Sequence, residues 1–88
     1  DSRKRMISIK SRLAQYEIAV AKYYIKREAY ASAANRARYV VEYFSPSPEI
    51  EQALEIMIEC YGNLGLADLK KNAMQVLAAN FPNNKLVN

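Results

Sequence analysis

Apolar residues recur along this chain at steps of three and four, the spacing of one face of an α-helix. Met6, Ile9, Leu13, Tyr16, Val20 and Tyr23 form one such stripe, and Ala14, Ile18, Ala21 and Ile25 form a second. Together they predict a first helix from Ser2 to Arg27 with two apolar faces, and so two packing partners. Glu28-Ala29 marks a tight break. A second helix is predicted from Ala31 to Phe44, with Ala33, Ala34, Ala37, Val40, Val41 and Phe44 inward. Its alanines are small enough for a close antiparallel approach. Ser45-Pro46-Ser47-Pro48 ends that helix, because neither proline can continue it. Ser47 is placed to cap a third helix, with Pro48 in its first turn and Glu49 favourable to its dipole. That helix is expected to run to Asn63 on a stripe of Ile50, Ala53, Leu54, Met57, Ile58 and Tyr61. Gly65 falls where a helix end turns over. A fourth helix is predicted from Asp68 to Ala79, with Leu69, Ala73, Val76 and Leu77 inward. Phe81-Pro82-Asn83-Asn84 closes it, and the tail from Lys85 is expected to fray.

The two halves repeat. Tyr24 and Tyr61 stand thirty-seven residues apart near the ends of the first and third helices, and Pro46 and Pro82 stand thirty-six apart. Two helices per unit and a period in the mid-thirties define the tetratricopeptide pattern. Tyr61, Gly65 and Pro82 fall at that motif's aromatic, glycine and proline positions, while Ala21, Tyr24, Tyr30 and Ala33 fit its small and aromatic positions. Glu28 departs from it, standing where the motif favours glycine. The expected fold is all-α: two tetratricopeptide-like hairpins, the first helix extended at its N-terminus. Residues 1–12 read as the end of a preceding-repeat helix, 13–46 and 47–82 as the two repeats, and 83–88 as a tail. Two units are fewer than a solenoid usually needs, so the chain reads as a fragment, or as a segment docked on a partner.

Composition narrows the chemistry. In 88 residues there are only two Gly and three Pro, which favours a few long helices over a strand-rich fold. No apolar run approaches the roughly 18 residues of a membrane span. There is no histidine, which removes imidazole acid–base chemistry, histidine metal ligation and serine triads. The lone Cys60, among Ile56, Met57, Ile58 and Tyr61, reads as a buried apolar residue. Glu51, Glu55 and Glu59 lie on one helical face and read as a solvated acidic stripe, since a cation would need ligands from other elements. No catalytic, cofactor or metal residue is therefore expected.

Charge is uneven. Residues 1–38 hold ten Lys/Arg and three Asp/Glu, and residues 39–88 hold three and six. A basic front and an acidic back fit docking surfaces of opposite sign. Arg3, Lys4, Arg5, Lys10 and Arg12, with seven tyrosines, leave a nucleic-acid-binding module open as an alternative. Against it, the tyrosines mostly fall on apolar stripes, where they read as core residues. A generic repeat adaptor with another partner is the other alternative.

Several ordered stretches are similar to one family. Lys4-Arg5-Met6, Arg12-Leu13-Ala14 and Tyr16-Glu17 look like the long helix before the last repeats of the BamD family (ComL/YfiO) of outer-membrane assembly lipoproteins. Val20-Ala21-Lys22-Tyr23-Tyr24 with Arg27 resembles a "VA-x-YY-x-x-R" segment of that family. Ala29-Tyr30, Ala33-Ala34-Asn35-Arg36, Val40-Val41-Glu42, Leu64-Gly65-Leu66 and Asn80-Phe81-Pro82 continue the likeness over essentially the whole chain. The resemblance implies a non-catalytic scaffold at the periplasmic face of the outer membrane. It implies BamA, through its membrane-proximal POTRA domain, as the partner, with BamC and BamE as further contacts. Nucleic acid is not implied, and membrane contact is implied only through a lipid anchor outside these residues. It also implies that Arg36 makes a charge contact with the POTRA partner, for which a two-pronged guanidinium is well suited. Its neighbours Arg38 and Tyr39 are the further candidates.

Overall fold

The computed structural model describes the backbone of residues 2–44 and 48–87, and the side chains of 11–44 and 48–87. The expected turn at 45–47, including the Ser47 cap, lies outside the described residues. So do the side chains of Met6, Ile9, Arg3, Lys4, Arg5 and Lys10. Four helices follow in order: α1 (Ser2–Lys26), α2 (Tyr30–Tyr43), α3 (Ile50–Leu64) and α4 (Ala67–Asn80). Among the described residues there is no strand, so the all-α expectation holds. α2 packs between α1 and α3, α3 packs on α4, and α1 also touches α3. This is the succession of two stacked helix hairpins. At 25 residues α1 is about 37 Å long, against about 21 Å for the 14-residue α2, so it overhangs its partner.

Both hairpins turn by the same device. Leu66 N–H donates to Tyr61 C=O at 2.9 Å and Gly65 N–H to Gly62 C=O at 3.3 Å, closing the end of α3 with Gly65 left-handed at φ 73°. That pair of bonds is the Schellman motif. Thirty-seven residues earlier, Ala29 N–H donates to Tyr24 C=O at 2.9 Å and Glu28 N–H to Ile25 C=O at 2.9 Å. Glu28 takes the left-handed place at φ 61°, where only a side chain without Cβ would be unstrained. The same register runs on: Val40 and Leu77 are fully buried, and the C-caps Phe44 and Phe81 close α2 and α4.

The core lies where the stripes converge. Ala14, Ile18 and Ala21 of α1, Ala33, Ala34, Ala37 and Val40 of α2, and Ala73 and Leu77 of α4 are buried around α3. α3 itself is buried on most sides, through Ala53, Leu54, Ile56, Met57, Ile58, Cys60 and Tyr61. Among the described residues of α1's two stripes, the one through Ala14, Ile18 and Ala21 supplies the buried positions of this core. Leu13, Tyr16 and Tyr23 point away, about half to two-thirds exposed (49%, 66% and 51%).

Five expectations are corrected. The third helix begins at Ile50, with Pro48 in the preceding turn and Glu49 as N-cap residue making no side-chain cap bond. Leu69 and Val76 are exposed, because among the described helices α4 meets only α3 and turns these two toward an open groove. Of the seven tyrosines Tyr61 is buried and Tyr24 and Tyr30 pack partly buried against the core, while Tyr16, Tyr23, Tyr39 and Tyr43 are exposed, so the tyrosines divide between core and surface. Among the described residues no second helical layer covers these outward stripes. Finally, the tail through Val87 is held in place. Asn84 is 8% exposed and donates from Nδ2 to Glu51 Oε2 at 2.7 Å and to Glu55 Oε2 at 3.3 Å. Its own Oδ1 accepts the Leu86 N–H at 2.8 Å. Glu51 and Glu55 are thus half-buried tethers, and only Glu59 of the acidic stripe is solvated.

Candidate partner-binding site

Arg36 sits on the exposed side of α2, one turn after Ser32 and just under one turn before Tyr39. The alanines of this helix set that orientation. Burying Ala33, Ala34 and Ala37 against α1 and α3 leaves positions 32, 35, 36 and 39 on the open face. Across the hairpin, Glu17 of α1 reaches Arg36: Nη1 donates to Glu17 Oε2 at 3.2 Å. The Glu17 side chain is only 13% exposed, while the Arg36 side chain is 47% exposed. A mostly sheltered carboxylate therefore holds one edge of a half-exposed guanidinium, which also interacts with the Tyr24 side chain beside it. Hydrogen bonding and charge from Glu17 push the Arg36 guanidinium further above its ordinary value, so it is a fixed cation.

Tyr24, Ser32, Asn35, Arg36 and Tyr39 line one shallow depression of about 350 Å³. The Tyr39 ring is itself braced by aromatic neighbours, with Tyr43 at 4.7 Å and Phe44 edge-on at 5.4 Å. The depression thus combines a fixed positive charge, an oriented aromatic edge, and hydroxyl and amide groups. That combination suits a carboxylate with an apolar neighbour, offered by a protein surface.

The structure brings Arg36 and Tyr39 together and separates Arg38 from them. Two residues along a helix is more than half a turn, so Arg38 emerges on another face. There its Nε donates to Glu42 Oε1 at 3.0 Å, and it borders a groove floored by Leu54, Met57 and Tyr61. Glu17, Tyr24, Ser32 and Asn35 belong to the depression and were not singled out as site residues from the sequence. Spacing alone could have named Ser32 and Asn35, at i−4 and i−1 from Arg36. Nothing local could have named Glu17, nineteen residues away on another helix.

The chemistry-bearing residues elsewhere are quiet. Cys60 is fully buried, and burial, with Glu59 adding, pushes its thiol up to about 11. It is a neutral thiol near pH 7. Among the described residues no group of three or more His, Cys, Asp or Glu is placed to hold a metal ion. No helix there is long and apolar enough to cross a membrane. On the basic α1, Arg27 lies 4.7 Å over the Tyr23 ring and so already has an aromatic partner.

Stacked hairpins and one repeated turn define a tetratricopeptide-like helical module. The comparisons give its family. Residues 1–77 match the family model YfiO, described as outer membrane lipoprotein, and the chain belongs to that family. It is 35% identical over 80 residues to the outer membrane protein assembly factor BamD of Vibrio cholerae, covering 91% of this chain and 33% of that protein. It is 38% identical over 84 residues to BamD of Xylella fastidiosa, covering 96% of this chain and 29% of the relative. BamD of Neisseria meningitidis is 37% identical over 82 residues, covering 93% and 31%. The chain therefore spans about a third of the length of the relatives it matches. Family membership places it at the outer membrane.

Proposed function

We propose that this chain is a non-catalytic docking segment of the outer-membrane β-barrel assembly machinery, working at the periplasmic face. Its relatives are named outer membrane protein assembly factors, which supports a role in that process. The depression around Arg36 is the docking point, and it receives a carboxylate of the membrane-proximal POTRA domain of BamA. Arg38 and Tyr39 are secondary contacts, with Tyr39 in the same depression and Arg38 on the adjoining face. BamC and BamE contact other surfaces of the same segment. Attachment to the membrane is through a lipid anchor outside these residues. The observation that carries this reading is the grip of sheltered Glu17 on one edge of Arg36, which holds a half-exposed cation in place before any partner arrives. A cation held in place loses less freedom on binding than a free side chain, so more of its attraction reaches the complex.

The experiment is titration calorimetry of the chain against the isolated membrane-proximal POTRA domain, at low and moderate salt. A saturable complex is expected, weakened by added salt and weakened about tenfold or more by Arg36→Glu. Unchanged affinity in Arg36→Glu, with the helical circular dichroism intact, would remove Arg36 from the interface. Steep salt-dependent binding to a DNA duplex, without POTRA binding, would favour the nucleic-acid alternative.

A further inference from the structure

We infer that the outer face of α4 is a seat for an acidic amphipathic helix of a partner protein, distinct from the Arg36 depression. A groove of about 540 Å³ runs along this face, lined by Lys70, Lys71, Met74 and Ala78 of α4 and by Leu86 and Val87 of the tail. Internal repetition says what shape it fits. In the thirty-seven-residue register that pairs Val40 with Leu77 and Phe44 with Phe81, Lys71, Met74, Gln75 and Ala78 follow Ala34, Ala37, Arg38 and Val41. On α2, Arg38 and Val41 adjoin Leu54, Met57 and Tyr61 of α3, while Ala34 and Ala37 are buried. The α4 groove is therefore the repeat-equivalent of the seat that α3, itself an amphipathic helix, occupies on α2. From Ala67 to Ala78 it extends about 17 Å, or three helical turns.

The two seats differ in charge, and that identifies the occupant's chemistry. Ala33 and Ala34 of the filled seat become Lys70 and Lys71 in the open one. Residues 39–66 carry five glutamates and no Lys or Arg, whereas residues 67–87 carry Lys70, Lys71 and Lys85 against Asp68 alone. The positive charge of the second half is thus gathered on α4 and the tail. A helix lying here meets Met74 and Ala78 with the Lys70 and Lys71 side chains beside them, the Lys70 ammonium reaching toward Gly62 of α3. It is favoured by carboxylates along that edge and disfavoured by lysines. A second copy cannot offer its α3, which is buried in its own core.

The groove is also built in advance. Its far wall, Leu86 and Val87, is fixed by Asn84, which bonds Glu51 and Glu55 on α3 and accepts the Leu86 N–H. Asn84 acts as a positioning residue for the seat.

The test is an NMR titration of the isotopically labelled chain with a synthetic three-to-four-turn helical peptide. The peptide carries leucines at i, i+4 and i+7 and glutamates along the flank. Saturable shifts confined to Lys70, Lys71, Met74, Leu86 and Val87 are expected. A matched peptide with glutamine for glutamate should bind about tenfold more weakly. Lys70→Glu with Lys71→Glu, both exposed changes, should abolish binding of the acidic peptide and admit a lysine-flanked one. Asn84→Ala should weaken binding while the α1–α2 resonances stay in place. Equal affinity for the glutamate and glutamine peptides would overturn the proposal, as would shifts scattered over other faces. Self-association through the same residues would assign the face to a second copy. Capture by phosphatidylglycerol vesicles without competition from the peptide would assign it to lipid. Either result refutes the partner helix.

Discussion

Replacing Glu28 by glycine removes a Cβ from the left-handed residue that turns α1 into α2. At φ 61° that Cβ crowds the following carbonyl, a conformation worth about 1–2 kcal/mol for a residue other than glycine. Glycine gives back part of this, because its unfolded chain is freer by about 0.5–1 kcal/mol. A net gain of about 0.5–1 kcal/mol remains. Removing a negative charge from the negative end of the α1 dipole adds a few tenths more. For a domain of this size the melting temperature should rise by about 2–8 °C, followed by circular dichroism. Glu28→Ala separates the two causes: it loses the charge but keeps the Cβ, and so should gain only the dipole part. The mirror variant is Gly65→Ala. At φ 73° an added Cβ meets nothing within 4 Å, so its loss, about 1 kcal/mol, is backbone strain alone. If Glu28→Gly melts no higher than Glu28→Ala, the turn does not hold strain and the argument from the shared motif fails.

Three further outcomes follow from side-chain contacts. Asn84→Ala leaves Glu51 and Glu55 without their amide donor. It should cost about 1–2 kcal/mol and speed amide exchange at Leu86 and Val87 before the helices respond. Gln15 Nε2 donates to Glu49 Oε1 at 3.0 Å, so Gln15→Glu sets two carboxylates together and should destabilise by about 1 kcal/mol or more beyond Gln15→Ala in a urea melt. Cys60, with its thiol raised to about 11, should react with maleimide at pH 8 at least about a hundredfold more slowly than a free thiol, and fully once urea unfolds the chain. By linkage, this folded value lies above the unfolded one of 9.0, so Cys60 stabilises fully below about pH 9. Denaturant midpoints should show that part lost between about pH 9 and 11, where the unfolded chain gives up its proton first.

The helices were legible because each signal is local: apolar steps of three and four, two prolines between α2 and α3, a glycine after α3. Even the strained turn was readable, as Glu28 in a glycine position. What periodicity leaves open is which of two apolar faces finds a partner. α1 carries two such stripes, and the order of layers buries Ala14, Ile18 and Ala21 and leaves Leu13, Tyr16 and Tyr23 out. On α4 the same uncertainty put Leu69 and Val76 inside, where only Ala73 and Leu77 belong. Of the residues lining the depression, Arg36 and Tyr39 were named in advance, and through the family resemblance rather than through periodicity. The support of Arg36 was not legible, since the Glu17 contact joins residues on different helices. The Asn84 contacts span 33 and 29 positions in the same way.

Those long-range polar contacts also answer a problem that repetition creates. Two hairpins in one register present similar apolar faces, so apolar packing alone distinguishes them poorly. Each hairpin is followed by a residue that folds back onto its own first helix, and the two residues are of opposite kind. After α2, the carboxylate of Glu49 accepts from Ser11 Oγ at 2.7 Å and from Gln15 on α1. After α4, the amide of Asn84 donates to the carboxylates of Glu51 and Glu55 on α3. Exchanged between the hairpins, Glu49 would meet two carboxylates, and Asn84 would meet a serine and a glutamine that have donors of their own. The mismatch penalises the acid more than the amide, because a buried like-charge contact costs more than an exchanged neutral hydrogen bond. Stacking order in this chain therefore rests on where Glu49, Glu51 and Glu55 are permitted to sit, and the apolar stripes, which are similar in the two units, supply affinity between layers without choosing among them.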